Sequence, residues 1–276
     1  MRTNTGRRYV VPLVWLFCVL TSVIFLQPKV NAADSWNSVG TPGFSNPTQF
    51  LTSAMDGDTP YVAFRAWGNG YKLSVMKYNG STWEFVGSPA FYSGADVANS
   101  IVIHAGVPYV GFADGNNGGK ATVMRFNGSS WEFVGSPGFS IGDAGWLQLN
   151  IANNGTPYVA FSEDIGVNGS ASVMKYDGGS WSYVGARQFT GQGANNISLE
   201  FDNNTPYISF SDISMTPYRL SVMRFNGSSW EFVGSPNFNT HSIDNSLYGQ
   251  AMLKINNHTP YVVFRDLSMY SVSVMR

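Results

Sequence analysis

Four aspartates fall near the end of one recurring segment: Asp114, Asp164, Asp212 and Asp266. Carboxylates gathered on one rim can hydrogen-bond sugar hydroxyls or help to hold calcium, which takes oxygen ligands. Aspartates at such positions can equally cap loop backbone N–H groups. A glycosidase needs two positioned carboxylates. These acids could supply them, but no pair stands apart among similar units. Residues that break the repeat say more: Trp67, Trp146, Arg65 and Arg265 replace other types at equivalent positions, and Tyr248 lies in the longest connecting segment. An aromatic that appears in one copy is not demanded by a shared core and is a candidate ligand contact.

Other chemistry finds no support. Gly138-Phe139-Ser140-Ile141-Gly142 matches the G-x-S-x-G pattern, but a nucleophile elbow needs a strand-to-helix turn, and this stretch lies between two strands. His104, His241 and His258 have no metal-ligand spacing, and Cys18 is the only cysteine, so no zinc set is formed. No catalytic residue and no metal ligand is assigned. Cofactors are expected to be absent, with calcium the only ion considered.

The elements that must position these residues follow from internal repetition. Trp36, Trp83, Trp131, Trp181 and Trp230 recur every 47–50 residues, within WEFVG or a near relative. A second block, TPYVAF or similar, starts at Thr59, Val107, Thr156, Thr205 and Thr259. A third, SVM or TVM, starts at Ser74, Thr122, Ser172, Ser221 and Ser273. The second unit reads as four strands, A near 99–104, B near 108–113, C near 121–126 and D near 130–135. Asn127-Gly128 closes the C–D hairpin, because both residues tolerate positive φ. Four strands per 40–50 residues, repeated radially, predict an all-β, five-bladed β-propeller. The repeated Trp is expected in the blade core. Lys77, Arg125 and Arg224 are expected opposite Glu84, Glu132 and Glu231 as structural cross-strand pairs.

The last copy runs only through Ser273–Met275, whereas Trp36-Asn37-Ser38-Val39-Gly40 is a D strand without A, B or C. Pairing the two completes the fifth blade and removes an open sheet edge. In a meandering blade, A–B and C–D turns share one face and B–C and D–A loops the other. The C–D spacing is constant while B–C and D–A vary, and variable loops on a rigid scaffold are where binding resides. The face carrying B–C and D–A loops is therefore the expected functional face.

The ends of the chain have a different character. Arg2, Arg7 and Arg8 precede an apolar run from Val10 to Leu26, and Val30-Asn31-Ala32 offers a small-residue cleavage site. This is the pattern of a signal peptide over 1–32, with the propeller over 33–276 and no membrane association after cleavage. Removing Arg2, Arg7, Arg8 and Lys29 leaves 12 basic against 17 acidic residues. Phosphate binding needs clustered Lys and Arg, so nucleic acid is excluded as a partner. With 12% charged and 15% aromatic residues, the chain is also unlike a disordered polyelectrolyte.

The unit TPYVAF…SVMKYNGSTWEFVGSP resembles the blade repeats of secreted or surface bacterial proteins, over residues 36–276. Its five units are similar in layout to tachylectin, a sugar-binding propeller, by architecture alone. The N-G-S-S-W turn resembles the end of the sialidase Asp-box (S-x-D-x-G-x-x-W). The Asp position is not filled, so sialidase activity is not implied. The expectation is a secreted, extracellular or cell-surface, lectin-like monomer. It would be a non-enzymatic module that recognises a glycan or a surface protein. The alternative is a glycoside hydrolase or lyase that acts on polysaccharide through its rim carboxylates. The candidate ligand contacts are Trp67, Trp146, Asp114, Asp164, Asp212, Asp266, Arg65, Arg265 and Tyr248.

Overall fold

The computed structural model describes residues 36–95, 100–164, 169–191, 193–243 and 251–276. The expected signal segment 1–32 and Tyr248 lie outside these. The chain divides into two compact units, 1–37 and 38–276, and only Trp36 and Asn37 of the first are described. Among the described residues, no helix is long and apolar enough to cross a membrane.

Apolar–polar alternation with a short turn every eight to ten residues produces antiparallel meanders. Blade 1 is β1 (Thr48–Asp56), β2 (Thr59–Ala66), β3 (Lys72–Tyr78) and β4 (Trp83–Phe85). Blade 2 is β5 (Ser100–His104), β6 (Val107–Asp114), β7 (Lys120–Phe126) and β8 (Trp131–Phe133). Blade 3 is β9 (Ala144–Ile151), β10 (Pro157–Glu163), β11 (Ser170–Tyr176) and β12 (Trp181–Tyr183). Blade 4 is β13 (Ala194–Asp202), β14 (Thr205–Asp212), β15 (Arg219–Phe225) and β16 (Trp230–Phe232). Blade 5 has three strands, β17 (Met252–Asn256), β18 (Thr259–Asp266) and β19 (Ser271–Met275). The fold is the expected five-bladed propeller. Its first strands, β1, β5, β9, β13 and β17, line a central channel of 350 Å³.

The cores lie between blades. Leu73 and Val75 of blade 1 pack with Val110 and Phe112 of blade 2, and Ala121 and Val123 of blade 2 with Leu149 and Phe161 of blade 3. The repeated Trp is part of this junction rather than of a single blade. Trp131 donates its indole N–H to the Val86 carbonyl of the preceding blade at 2.8 Å, and its ring stacks on Phe91 at 4.4 Å. Trp181 and Trp230 do the same with Val134 and Phe139, and with Val184 and Phe189. Gly87 follows Val86 at φ 74°, and a Cβ there would stand 2.8 Å from Phe126 and 3.3 Å from Trp131. A side chain is excluded both by space and by the left-handed backbone.

The N-terminal segment repeats these contacts. The Val39 carbonyl accepts the Trp83 indole N–H at 2.8 Å, Gly40 has φ 70° beside Trp83, and Phe44 stacks on Trp83 at 4.1 Å. Val39 thus stands to blade 1 as the end of each fourth strand stands to the next blade. Residues 36–40 themselves form no strand, so blade 5 keeps three, and Trp36 is exposed rather than in a core. The cross-strand pairs are also as expected, with Lys77–Glu84 at 3.5 Å, Arg125–Glu132 at 2.8 Å and Arg224–Glu231 at 2.7 Å.

Trp131→Phe keeps the ring and removes the N–H, leaving the half-buried Val86 carbonyl without its donor. It should destabilise by about 1–3 kcal/mol. Gly87→Ala should cost at least as much through crowding and backbone strain, about 1–3 kcal/mol. Urea denaturation of both variants checks this, and wild-type midpoints would contradict the junction role of Trp131 and Gly87.

Candidate functional site

The turn between the second and third strands leaves every blade at the same backbone position. Antiparallel pairing aligns Ala66 with Lys72, Asp114 with Lys120, Glu163 with Ser170, Asp212 with Arg219 and Asp266 with Ser271. The acid that repeats in blade 3 is therefore Glu163, not Asp164, which is one residue further on. Counting six residues on from the proline of the TPY block finds it in sequence. Motif similarity alone obscured it, because Ser162-Glu163-Asp164 contains two acids.

Three of the repeated acids are spent on their own loops. Asp114 is fully buried and accepts from the Asn116 N–H at 3.1 Å, Asn117 Nδ2 at 2.8 Å, Thr122 Oγ1 at 3.1 Å and Tyr92 Oη at 2.7 Å. Burial and then the Asp114 bond push the Tyr92 hydroxyl up to about 12. Asp212 accepts from the Ser214 N–H and hydroxyl. Asp266 accepts from Ser268 in the same way and meets His241 Nδ1 at 2.9 Å. The Ser268 hydrogen bond leads in holding its carboxyl below the usual range, despite burial. These are the loop-capping roles that short acidic side chains perform. They do not converge: among the described residues, no group of three or more His, Cys, Asp or Glu could hold a metal.

Blade 3 is different. Glu163, at the end of β10, is fully buried. Its Oε1 accepts from Tyr183 Oη at 2.7 Å and the Gly142 N–H at 2.9 Å, and its Oε2 from Ser172 Oγ at 2.6 Å. Arg187 Nε lies 2.9 Å from the same Oε1, a charge contact within an ion pair. Burial pushes this carboxyl up, but the bonds from Ser172, Gly142, Tyr183 and Arg187 outweigh it and hold it below its ordinary value. Burial and the Glu163 carboxylate in turn push the Tyr183 hydroxyl up to about 12. Glu163 is thus an anion and Tyr183 a retained proton donor.

Asp164 turns outward at φ 61°, a left-handed corner uncommon for a non-glycine residue. Its side chain is 33% exposed. Its Oδ2 accepts from Arg187 Nη2 at 2.6 Å and Gln188 Nε2 at 2.7 Å. Its backbone N–H bonds the carbonyl of Asp143 at 3.2 Å, just before β9 begins. Gly142 has to be glycine for a separate reason: a Cβ there would lie 1.9 Å from Asp164 Oδ1. The neighbouring Ser140 is buried and bridges the Ala121 N–H and the Gly142 carbonyl, so the G-x-S-x-G stretch shapes this loop and presents no nucleophile. Arg187, Tyr183, Gly142 and Gln188 were not singled out from sequence. They are brought together only when the blade 3 loops meet.

The other predicted residues are dispersed. Trp67 is 53% exposed on the blade 1 loop, with its ring centroid 6.1 Å from that of Tyr71. The Arg65 guanidinium lies 5.4 Å over the Phe50 ring and 5.5 Å over the Tyr71 ring. Arg265 is exposed on blade 5. Trp146 sits in a bulge of β9 at φ 51° and packs partly buried against the junction of blades 3 and 4. Its counterparts are Phe50 and Asn196, the left-handed residues of the bulges in β1 and β13. Trp146 therefore has an aromatic counterpart in blade 1, Phe50, and does not stand alone as the repeat pattern suggested. A bulge adds one residue that motif counting does not register.

No protein-family model and no curated protein sequence matches the chain. Solved structures share its layout. A thermostable family-43 glycoside hydrolase is 12% identical at a TM-score of 0.49, covering 82% of this chain and 86% of its own. An endo-arabinase from Bacteroides thetaiotaomicron is 13% identical at a TM-score of 0.49, with 87% and 96% covered. A Trypanosoma rangeli sialidase is 11% identical at a TM-score of 0.53, and the match spans 79% of this chain but 42% of the sialidase. At these identities the likeness is one of fold. It is to propellers of carbohydrate-active enzymes and not specifically to the tachylectin type.

The expectation of a non-enzymatic binding module is corrected by blade 3. It rested on five similar blades with no carboxylate pair set apart, and blade 3 sets one apart, Glu163 and Asp164 on a shared Arg187.

Glu163→Gln should cost about 1–3 kcal/mol at pH 7, because its amide N–H groups would face the donors Ser172, Gly142 and Tyr183. The folded-state pKa of Glu163 is depressed. Its contribution is therefore complete above the unfolded value and is lost as pH falls through the folded value. The acid limb of the wild-type stability profile should flatten in the variant. Denaturation midpoints measured from pH 7 down to pH 3 test this, and parallel profiles would contradict an ionised Glu163.

Proposed function

We propose that this protein is a secreted glycoside hydrolase that cleaves polysaccharide on the loop face of blade 3. The observation that carries the reading is Asp164, a part-exposed carboxylate anchored by Arg187 and Gln188 beside the buried anion Glu163. Glycoside hydrolysis passes through an oxocarbenium-like state and uses one ionised carboxylate and one that supplies a proton. Arg187 and Gln188 hold the Asp164 carboxylate in place at the surface, where it can activate water or stabilise the positive sugar ring. Asp143, whose backbone carbonyl accepts the Asp164 N–H, adjoins it across the loops and is the candidate for the second carboxyl. Glu163 is a positioning residue, since its lone pairs are engaged by Ser172, Gly142 and Tyr183. Residues 1–32 act as the export signal in this reading.

Release of reducing ends from a panel of plant and bacterial polysaccharides tests the proposal. One polymer in the panel should be cleaved, and Asp164→Asn should lower that rate by about 100-fold or more while thermal unfolding stays cooperative. Undiminished turnover in the variant, or no cleavage of any polymer by the wild type, would overturn it.

A further inference from the structure

The residue that ends each loop between the second and third strands is Tyr71, Gly119, Gly169, Tyr218 or Tyr270 in blades 1 to 5. Gly119 has φ 75°, while Tyr71 and Tyr270 take the same left-handed corner at φ 58° and 49°. Glycine adopts this conformation freely, whereas a tyrosine there is strained. Strain kept at a solvent-facing side chain is a mark of use rather than of packing. Tyr270 is 79% exposed, Tyr71 44% and Tyr218 38%, and Trp67, Met215 and Met269 beside them are also exposed.

The tyrosines belong to blades 4, 5 and 1, and the glycines to blades 2 and 3. The same sector is basic at its surface. Arg65 lies against the Phe50 and Tyr71 rings, and Lys72 and Arg265 are exposed. Among the described residues, the loop acids of the sector are turned away, Asp212 onto Ser214, and Asp266 onto Ser268 and His241.

We propose that this aromatic, basic arc binds an extended acidic polysaccharide. The C–H faces of successive sugar rings would lie on Tyr218, Tyr270, Tyr71 and Trp67, and uronate carboxylates would pair with Arg65, Lys72 and Arg265. Exposed rings on three blades with Arg65, Lys72 and Arg265 beside them suit a polymer that alternates apolar faces and carboxylates. A globular partner or a lipid surface would not require that alternation. The proposal deepens the hydrolase reading by naming its substrate class, and rests on that reading for the direction of the chain toward blade 3.

The test is affinity electrophoresis and titration calorimetry of the full chain carrying Asp164→Asn, with polygalacturonate, alginate and neutral xylan as probes. An acidic polymer should bind, with affinity falling as salt rises, and xylan should bind weakly. Tyr270→Ala and Trp67→Ala should each weaken binding about fivefold, with little change in melting temperature because both side chains are exposed. Arg65→Gln should reduce the preference for acidic over neutral polymer. Equal binding of xylan, or binding unchanged by Tyr270→Ala and Trp67→Ala, would overturn the proposal. So would capture by phosphatidylglycerol vesicles without polymer binding. Binding that depends on Tyr270 without cleavage by the wild type would support the arc and remove the hydrolase reading. Cleavage indifferent to both substitutions would do the reverse.

Discussion

One contact governs this architecture: an indole N–H from each of blades 1 to 4 given to a valine carbonyl of the segment before it. Trp83, Trp131, Trp181 and Trp230 make it with Val39, Val86, Val134 and Val184. It satisfies a backbone carbonyl at the outer end of a blade junction, where the next strand of the same sheet is missing. It also orients the ring so that an aromatic of the following loop can stack on it. The glycine after each valine is the steric condition, since any Cβ would displace the indole. The narrow range of distances between tryptophans, 47–50 residues, follows because each must reach one carbonyl in its neighbour.

A scaffold held in this way leaves the loop face free to vary. Where the repeat is obeyed, acids such as Asp114 and Asp266 turn inward and tie down their own loops. Where it is broken, chemistry collects. Blade 3 places a second acid after the repeated one, adds Arg187 to hold both, and requires Gly142 to admit them. Blades 1 and 5 put tyrosine where blade 2 has glycine and hold it in the same backbone corner. Both departures replace an inexpensive loop by a more constrained one.

The pH response follows from the same division. Glu163 is kept ionised in spite of burial by donors from β11, β12 and the loops holding Gly142 and Arg187, while burial and its bond to that anion keep Tyr183 protonated. Each maintains the protonation state of the other. The result is a fixed charge beneath Asp164 that does not titrate near neutrality.

Much of this was legible in the chain. Trp spacing, the TPY and SVM blocks and the Asn-Gly turns determined blade number, strand order and the face on which loops vary, because period-two alternation and turn chemistry are local properties. The cross-strand partners of Lys77, Arg125 and Arg224 followed from hairpin length alone. What sequence could not decide was which side chains meet. The repeat pattern left Trp146 without its aromatic counterpart in blade 1, Phe50. Glu163 was hidden beside Asp164, and Arg187 lies 24 residues beyond Glu163 in a different loop. Those contacts exist only after the blades have packed, when burial makes every donor and acceptor find a partner across the loops.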